Sequence, residues 1–227
     1  MSRKGNSRHI KRLAMSSFLG IPRKEAKFIV KPNPGRHNLA GSIALVLLIR
    51  DKLKYARNSK EAEMIIKNGK IKVNGKVVKD PKFAVGYGDV ISLATGEHYK
   101  VGVNNTGAVS LEKVDESAKR VYKVVGKYVE KGNKVMVRLH DGTVLAAPEQ
   151  GIKVNDSVVM SNEGKIEKVL KFGVGAKCVI YKGRHPNRKG SIASITEGTA
   201  SRPAMVEIST DSGSIKTVVD NIMVVGE

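Results

Sequence analysis

Residues 43–57 read IALVLLIRDKLKYAR, and they open the stretch that decides the fold of this chain. It begins with seven successive apolar residues, which are too few to cross a bilayer and are typical of a buried helix. Apolar residues then recur at helical spacing as far as residue 56. This spacing predicts one continuing helix, with Arg50, Lys54 and Arg57 together on another, cationic face.

A second helix and a hairpin are predicted directly after it. Asn58 is a favourable N-cap residue, and Glu61, three residues later, completes a capping box. Gly69 ends the helix. Residues 70–78 then read KIKVNGKVV, in which Asn-Gly supplies the positive φ angles of a two-residue hairpin turn. A glycine turn at residues 86–88 leads into one more strand, which ends at residue 93.

This run of two short helices and a small sheet resembles the S-four RNA-binding domain, also called the alpha-L motif, in which a helix pair and the following hairpin grip folded RNA. Five basic residues fall where that family presents its basic helices: Arg50, Lys54, Arg57, Lys60 and Lys67. Residues 71–76, which include Lys72, resemble its hairpin. The resemblance implies that these six residues bind RNA, whereas the residues alone leave a merely solvated charged surface equally open.

The composition indicates a polyanionic partner. The 227 residues include 41 Lys and Arg against 21 Asp and Glu, which gives a net charge of +20 and a pI near 10.0. Such a protein has a large positive field, and no amphipathic apolar face or lipidation signal favours a membrane surface. Nucleic acid is therefore the expected partner. With only ten Phe and Tyr and no Trp, recognition of shape and phosphates is favoured over base stacking.

Residues 1–42 are predicted to form a basic N-terminal extension that is ordered mainly by phosphates, with enough apolar surface at residues 17–21 to dock on another part of the protein. They contain ten basic residues and one acidic residue, which accounts for nine of the twenty net charges. Residues 9–14 and 31–39 resemble the N-terminal extension of the S-four-e family of archaeal and eukaryotic small-subunit ribosomal proteins. The candidate RNA-binding residues in this segment are Arg3, Lys4, Arg8, His9, Lys11, Arg12, Arg36 and His37.

Short strands dominate the rest of the chain. Residues 96–170 are predicted to form a β-rich central domain, with a hairpin turn at residues 140–142. Residues 171–227 contain five strand patterns, a number typical of an SH3-like barrel. The basic loop before Gly190 resembles the KOW motif, which contacts structured RNA. The candidate RNA-binding residues of this loop are Arg184, His185, Asn187, Arg188 and Lys189.

No cofactor, metal or catalytic group is predicted. Cys178 is the only cysteine and lies in an apolar strand pattern, so we expect a buried, inert thiol rather than a disulfide, a zinc ligand or a nucleophile. The five histidines are scattered without metal-ligand spacing. No nucleotide-binding loop is present. No secretion signal is recognisable, which leads us to expect a cytoplasmic protein.

The resemblance covers the whole chain in order, and it implies an α+β, multi-domain fold. The expected domains are a basic extension (1–42), a small α/β S-four domain (43–95), a β-rich central domain (96–170) and an SH3-like KOW barrel (171–227). It implies a non-enzymatic structural component of the small ribosomal subunit, bound to ribosomal RNA and to neighbouring ribosomal proteins. The alternatives are an RNA-modifying enzyme with an S-four domain and a KOW-type elongation or chaperone factor.

Overall fold

A computed structural model describes residues 9–115, 119–147, 151–161, 164, 166–210 and 213–226 of the chain. The fold is mostly β, with few helices. The sequence at residues 117–120 also allows one helical turn, but this segment falls largely outside the described residues. Within the described part, no helix is long and apolar enough to span a membrane.

The N-terminal segment packs on the body of the protein instead of forming a free arm. Strands β1 (Ile10–Lys11) and β2 (Phe28–Ile29) pair in an antiparallel ribbon, with two short 3-10 helices between them. Apolar side chains of this segment are buried in the same core as the helix pair: Met15, Leu19, Ile21 and Ile29. The expectation that mainly phosphates order this segment is therefore wrong for residues 9–42, whereas the expected docking of residues 17–21 is seen in the burial of Leu19 and Ile21.

The helix pair is shorter than the sequence pattern predicted. Strand β3 (Ser42–Ala44) comes first, and α1 (Leu45–Leu47) continues as one π-helical turn (Leu48–Lys52). Lys54 has a φ of +57°, so the helix has ended before residues 54–57. Lys54 and Arg57 consequently lie in a connecting loop and not on a helical face with Arg50, which corrects that prediction.

Helix α2 (Ser59–Lys67) forms as predicted from its sequence. Glu61 accepts a hydrogen bond from the backbone N–H of Asn58 at 3.4 Å, as part of a capping box that satisfies amides at the start of the helix. Ala62 and Ile66 face the core and are fully buried. Gly69 ends the element with a φ of +72°, a conformation that glycine adopts without steric cost.

A five-stranded sheet follows the helices. The strands of this part of the chain are β4 (Ile71–Val73), β5 (Lys76–Val77), β6 (Ala84–Gly86), β7 (Val90–Leu93), β8 (His98–Val103) and β9 (Val109–Val114), and all of them except β6 belong to the sheet. Their order is β5-β4-β7-β8-β9, and β6 pairs separately with β3. The Asn74-Gly75 turn has the predicted positive φ angles of +52° and +81°. Because β8 and β9 belong to this sheet, it crosses the boundary that we placed at residue 95.

The central strands form a second antiparallel sheet. They are β10 (Arg120–Glu130), β11 (Lys134–Leu139), β12 (Val144–Ala146), β13 (Ser157–Met160) and β14 (Ile166–Leu170), in the order β12-β11-β10-β13-β14. Residues 140–142 form the predicted turn between β11 and β12. Tyr122, Val124 and Leu139 are at the centre of a separate small core beneath this sheet.

The C-terminal strands form a third sheet with the five predicted members. They are β15 (Lys177–Ile180), β16 (Lys189–Thr196), β17 (Met205–Thr210), β18 (Gly213–Val218) and β19 (Ile222–Val224), in the order β18-β17-β16-β15-β19. The last strand therefore returns to pair with the first. Among the described residues, no pairing between β18 and β19 closes the sheet into a barrel.

Candidate nucleic-acid interface

The exposed basic residues of the N-terminal segment lie beside a buried arginine with a structural role. His9 and Lys11 are exposed, whereas Arg12 is only 7% exposed. The guanidinium of Arg12 donates to the carbonyl of Pro22 at 3.0 Å and to Glu25 at 3.1 Å. Arg12 therefore holds the loop between β1 and β2 in place. Arg3, Lys4 and Arg8 lie outside the described residues.

Arg36 connects the N-terminal segment to the central sheet. Its guanidinium forms an ion pair with the buried Asp141 and donates to the hydroxyl of Thr143 at 2.8 Å. Burial lowers the pKa of Arg36, but the charges of Asp141 and Asp89 outweigh it, so the pKa lies above its ordinary value. The positive charge of Arg36 is therefore compensated by the carboxylate of Asp141 within the protein.

His37 forms a second buried contact next to it. Its side chain is 6% exposed, and Nε2 lies 2.8 Å from a carboxylate oxygen of Asp89. Asp89 also accepts hydrogen bonds from the amide of Asn74 and the backbone N–H of Gly86. Burial raises the pKa of Asp89, but its hydrogen bonds, above all the one with His37, lower the pKa by more. The pKa of Asp89 therefore lies below its ordinary value.

Two glycines make room for residues 36 and 37. A Cβ on Gly142 would lie 2.5 Å from the carbonyl oxygen of Arg36, and a Cβ on Gly86 would collide with the ring of His37. Both glycines therefore allow the N-terminal segment to approach the rest of the protein closely. The presence of glycine at these positions did not by itself predict this contact. Arg36 and His37 join the N-terminal segment to the second and third parts of the chain, a role that the sequence did not indicate.

An aromatic cluster lies at the same junction, and it was not predicted from the sequence. The ring of His140 lies within 5.6–6.4 Å of those of Tyr87, Tyr122 and Tyr181. Burial lowers the pKa of His140 to about 4, so the imidazole is neutral at pH 7. Its Nδ1 accepts from the backbone N–H of Lys123 at 3.2 Å, and its Nε2 donates to the carbonyl of Tyr87 at 3.3 Å.

Lys123 links the central sheet to the C-terminal sheet. Its ammonium group donates to the carbonyl of Val219 at 2.6 Å in a buried environment. Burial lowers the pKa of Lys123 to about 8, even though Asp220 acts in the opposite direction. Lys123 is therefore a buried structural lysine rather than part of the exposed basic surface.

Most of the candidate residues of the helix pair are available to a polyanion. Lys54, Arg57, Lys60, Lys67 and Lys72 are exposed. Lys67 makes only an exposed ion pair with Glu63 at 3.6 Å, and such pairs contribute little to stability. Arg50 differs, because it is partly buried, is paired with Asp51 at 2.6 Å and donates to the hydroxyl of Ser59. The exposed cations lie on the connecting loop, on α2 and on β4.

The C-terminal basic loop is held firmly at its ends while its cations stay exposed. Its candidate residues Arg184, His185, Asn187, Arg188 and Lys189 are all exposed. A Cβ on Gly190 would meet the carbonyl of Ser209 and lie 2.8 Å from Ile208 Cγ2, so glycine is needed here for the close approach of another backbone. The loop also touches the β8–β9 turn, since Asn187 donates to Asn105 at 3.3 Å.

The remaining chemistry of the described residues is structural. Cys178 is buried, and burial raises the pKa of its thiol to about 11, as expected for an inert core thiol. Within the part of the chain that the structure describes, no group of three or more histidine, cysteine, aspartate or glutamate side chains could hold a metal ion. The geometry instead presents several separate patches of exposed lysine and arginine on a rigid frame.

Comparison with known proteins gives matches along the whole chain. Three family models match consecutive segments: the RS4NT (NUC023) domain at residues 4–40, the S4 domain at 45–91 and Ribosomal family S4e at 95–166. The small ribosomal subunit protein eS4 of Methanocaldococcus jannaschii is 37% identical over 238 residues, which cover 100% of this chain and 97% of that protein. Its counterpart in Thermoplasma volcanium is 37% identical and covers 95% of this chain and 92% of its own.

A solved structure also resembles this one. The crystal structure of the 30S ribosomal protein S4e from Thermoplasma acidophilum matches with a TM-score of 0.71 and 34% identity. The match covers 82% of this chain and 96% of that chain. The similarity therefore extends through several segments in the same order, rather than resting on a single RNA-binding module.

Proposed function

The chain belongs to the eS4 family of small ribosomal subunit proteins, and on that premise we propose that it is a structural constituent of the small ribosomal subunit that binds ribosomal RNA. The observation that carries this proposal is the match of 33–37% identity with family members over nearly the full chain. The net charge of +20 supports it, because RNA is the polyanion of the ribosome. The protein acts at the ribosome and performs no catalysis of its own.

The candidate residues whose side chains are exposed form the proposed RNA contacts. In the described part of the chain these are His9, Lys11, Lys54, Arg57, Lys60, Lys67, Lys72, Arg184, His185, Asn187, Arg188 and Lys189. We propose the same role for Arg3, Lys4 and Arg8. The candidates whose side chains are engaged within the molecule act indirectly, by fixing the segments that carry the contacts: Arg12, Arg36, His37 and Arg50.

The four-part organisation is also a proposal. The division at residues 42, 95 and 170 follows the family-model matches at 4–40, 45–91 and 95–166, although the first large sheet continues across residue 95 to β9. The C-terminal sheet is proposed to be a KOW-type module with an SH3-like arrangement of strands, in which β18 and β19 are the two edge strands and, within the described residues, do not pair with each other. The return of β19 to β15 and the glycine contact at the start of β16 support this assignment. Neighbouring ribosomal proteins are the expected protein partners.

The salt dependence of RNA binding tests the proposed contacts of the helix pair. Each lost contact with a duplex phosphate lowers the slope of log K against log salt by about 0.9, so a variant with Lys54, Arg57 and Lys60 changed to alanine should lose up to about 2.7. The control variant removes three other exposed lysines, Lys131, Lys168 and Lys216. Equal slopes for the two variants would assign the first three residues to a solvated surface.

A further inference from the structure

A groove lies on the face of the first large sheet that points away from the helix pair. Ile71 and Val73 of β4 are buried toward the helices, so Lys72 between them projects from the opposite face. In the register of the sheet, Lys72 lies opposite Ser92, and Ser92 lies opposite His98. These three side chains form a row across three strands, and the row is the floor of the groove.

The groove has the size of a ligand site. Its volume is about 570 Å³, and it runs between the floor and Arg120 of the central sheet, with the turns at residues 69–70, 74–75 and 94–96 at its ends. Typical small-ligand pockets have roughly 300–1,000 Å³. The space therefore suits one or two nucleotides of an extended strand.

The groove is lined by cations and by no acidic residue. Lys70, Lys72 and Arg120 line it, and neither aspartate nor glutamate occurs among the described residues that do. The guanidinium of Arg120 is held in place because it donates to the carbonyls of Asn74 at 3.4 Å and Ser161 at 2.7 Å. Lys70 and Lys72 are exposed on this concave surface, and the buried charge of Arg120, which is 4% exposed, lies behind it, so the groove favours a bound anion.

His98 adds a directed polar group to the floor. Its Nδ1 lies 2.8 Å from the hydroxyl oxygen of Ser92. In the tautomer in which the serine hydroxyl donates to Nδ1, Nε2 carries the proton and is a hydrogen-bond donor. Among the described residues of the lining there is no Phe, Tyr or Trp, and the imidazole of His98 is held by Ser92, so the lining is not built as a platform for stacking bases. The chemistry suits phosphates and sugars rather than bases.

We propose that this groove binds the sugar–phosphate backbone of a single-stranded segment of RNA, with the exposed Lys70 and Lys72 contacting its phosphates, the buried Arg120 adding positive charge behind the lining, and His98 donating a hydrogen bond. The inference rests on the proposed function and goes beyond the exposed cations of the helix pair, because the groove is on the other face of the sheet. The protein would then hold RNA on two sides of one sheet. This geometry alone assigns a binding role to Lys70 and His98 and a supporting electrostatic role to Arg120.

Directed cleavage of RNA tests the proposal within assembled small subunits. A single cysteine is introduced by Ala94→Cys at the rim of the groove, in a Cys178→Ser background, and it carries an iron chelate that generates hydroxyl radicals. We expect cleavage at a few nucleotides of one single-stranded segment. The matched probe, Lys168→Cys on the exposed surface of β14, should not cleave that segment. Absence of local cleavage from residue 94, or crosslinking of the same cysteine only to a protein, would overturn the proposal.

A binding measurement on the full-length protein and ribosomal RNA provides the second test. Lys70→Ala with His98→Ala, which leaves Lys72 in place, should reduce affinity severalfold and lower the salt slope by about 0.7, the value for one single-strand phosphate contact. Lys168→Ala with Lys216→Ala is the control and should retain the original slope. An unchanged slope in a protein that still enters the small subunit would reject the groove and leave the proposed function intact. Failure of the unaltered protein to enter the subunit would instead reject the proposed function.

Discussion

Gly190→Ala should destabilise the C-terminal sheet because the added methyl group has no space. Its Cβ would lie 2.8 Å from Ile208 Cγ2 and 3.0 Å from Thr210 Cγ2, and closer still to the carbonyl oxygen of Ser209. That oxygen belongs to the backbone of β17, which pairs with β16, so it cannot rotate away without breaking the register Ser191↔Ser209. Overpacking of this kind costs about 1–3 kcal/mol. For a protein of this size the midpoint of thermal unfolding should then fall by about 2–12 °C.

Gly173→Ala is the matched control for this experiment. No atom lies within 4 Å of a Cβ at Gly173, and its φ is not positive, so alanine should be neutral or stabilise the protein by up to about 1 kcal/mol through the unfolded state. Urea unfolding followed by circular dichroism, together with thermal scans, measures both variants. A Gly190→Ala protein as stable as the Gly173→Ala protein would refute the argument that a close backbone approach requires glycine at position 190.

Three further predictions concern the C-terminal basic loop, the buried carboxylate of Asp89 and the thiol of Cys178. Arg184→Ala with Arg188→Ala should change the free energy of unfolding by about 0.5 kcal/mol or less, because both residues are exposed, and should remove one local protection from the RNA footprint of assembled subunits; an unaltered footprint would show that the sheet binds by another face. The pKa of Asp89 is below its ordinary value, so its contact with His37 stabilises the fold fully above about pH 4 and the stabilisation is lost as the pH falls through the lower folded-state pKa. Urea unfolding between pH 5 and pH 2.5 should therefore show an acid-dependent loss of stability that is smaller in Asp89→Asn, and identical pH profiles would contradict this role. The thiol of Cys178 should react with a thiol reagent at pH 8 only after unfolding, since it is 3% exposed and burial raises its pKa to about 11; rapid reaction of the native protein would disprove its burial.

Local signals in the sequence predicted the elements whose geometry is decided by neighbouring residues. The capping box at Asn58, the Asn74-Gly75 turn and the five C-terminal strands all depend on short-range chemistry, and each is present in the structure. The first helix was predicted too long because apolar spacing continues to residue 56, although the chain leaves the helix before residue 54. Periodicity reports which residues are buried, and a loop packed on a core also buries residues at such intervals.

Long-range contacts explain what could not be predicted. Arg36 and His37 were expected to face RNA, but their partners Asp141 and Asp89 are 105 and 52 residues away in the sequence. The burial of residues 9–42 likewise depends on a core made mainly by residues 43–109. Charge alone cannot distinguish an arginine that meets a phosphate from one that meets a buried carboxylate. The groove beneath Arg120 requires two sheets to come together and has no local sequence signal.

Co-sedimentation with small ribosomal subunits after a high-salt wash tests the central claim most directly. A structural constituent is held by many phosphate contacts at once and is built into the folded RNA, so the tagged protein should remain in the small-subunit fraction at about one copy for each particle after washing. A factor that binds transiently would dissociate as salt weakens its phosphate contacts. Recovery of the protein in the wash, with subunits that are otherwise intact, would contradict the account.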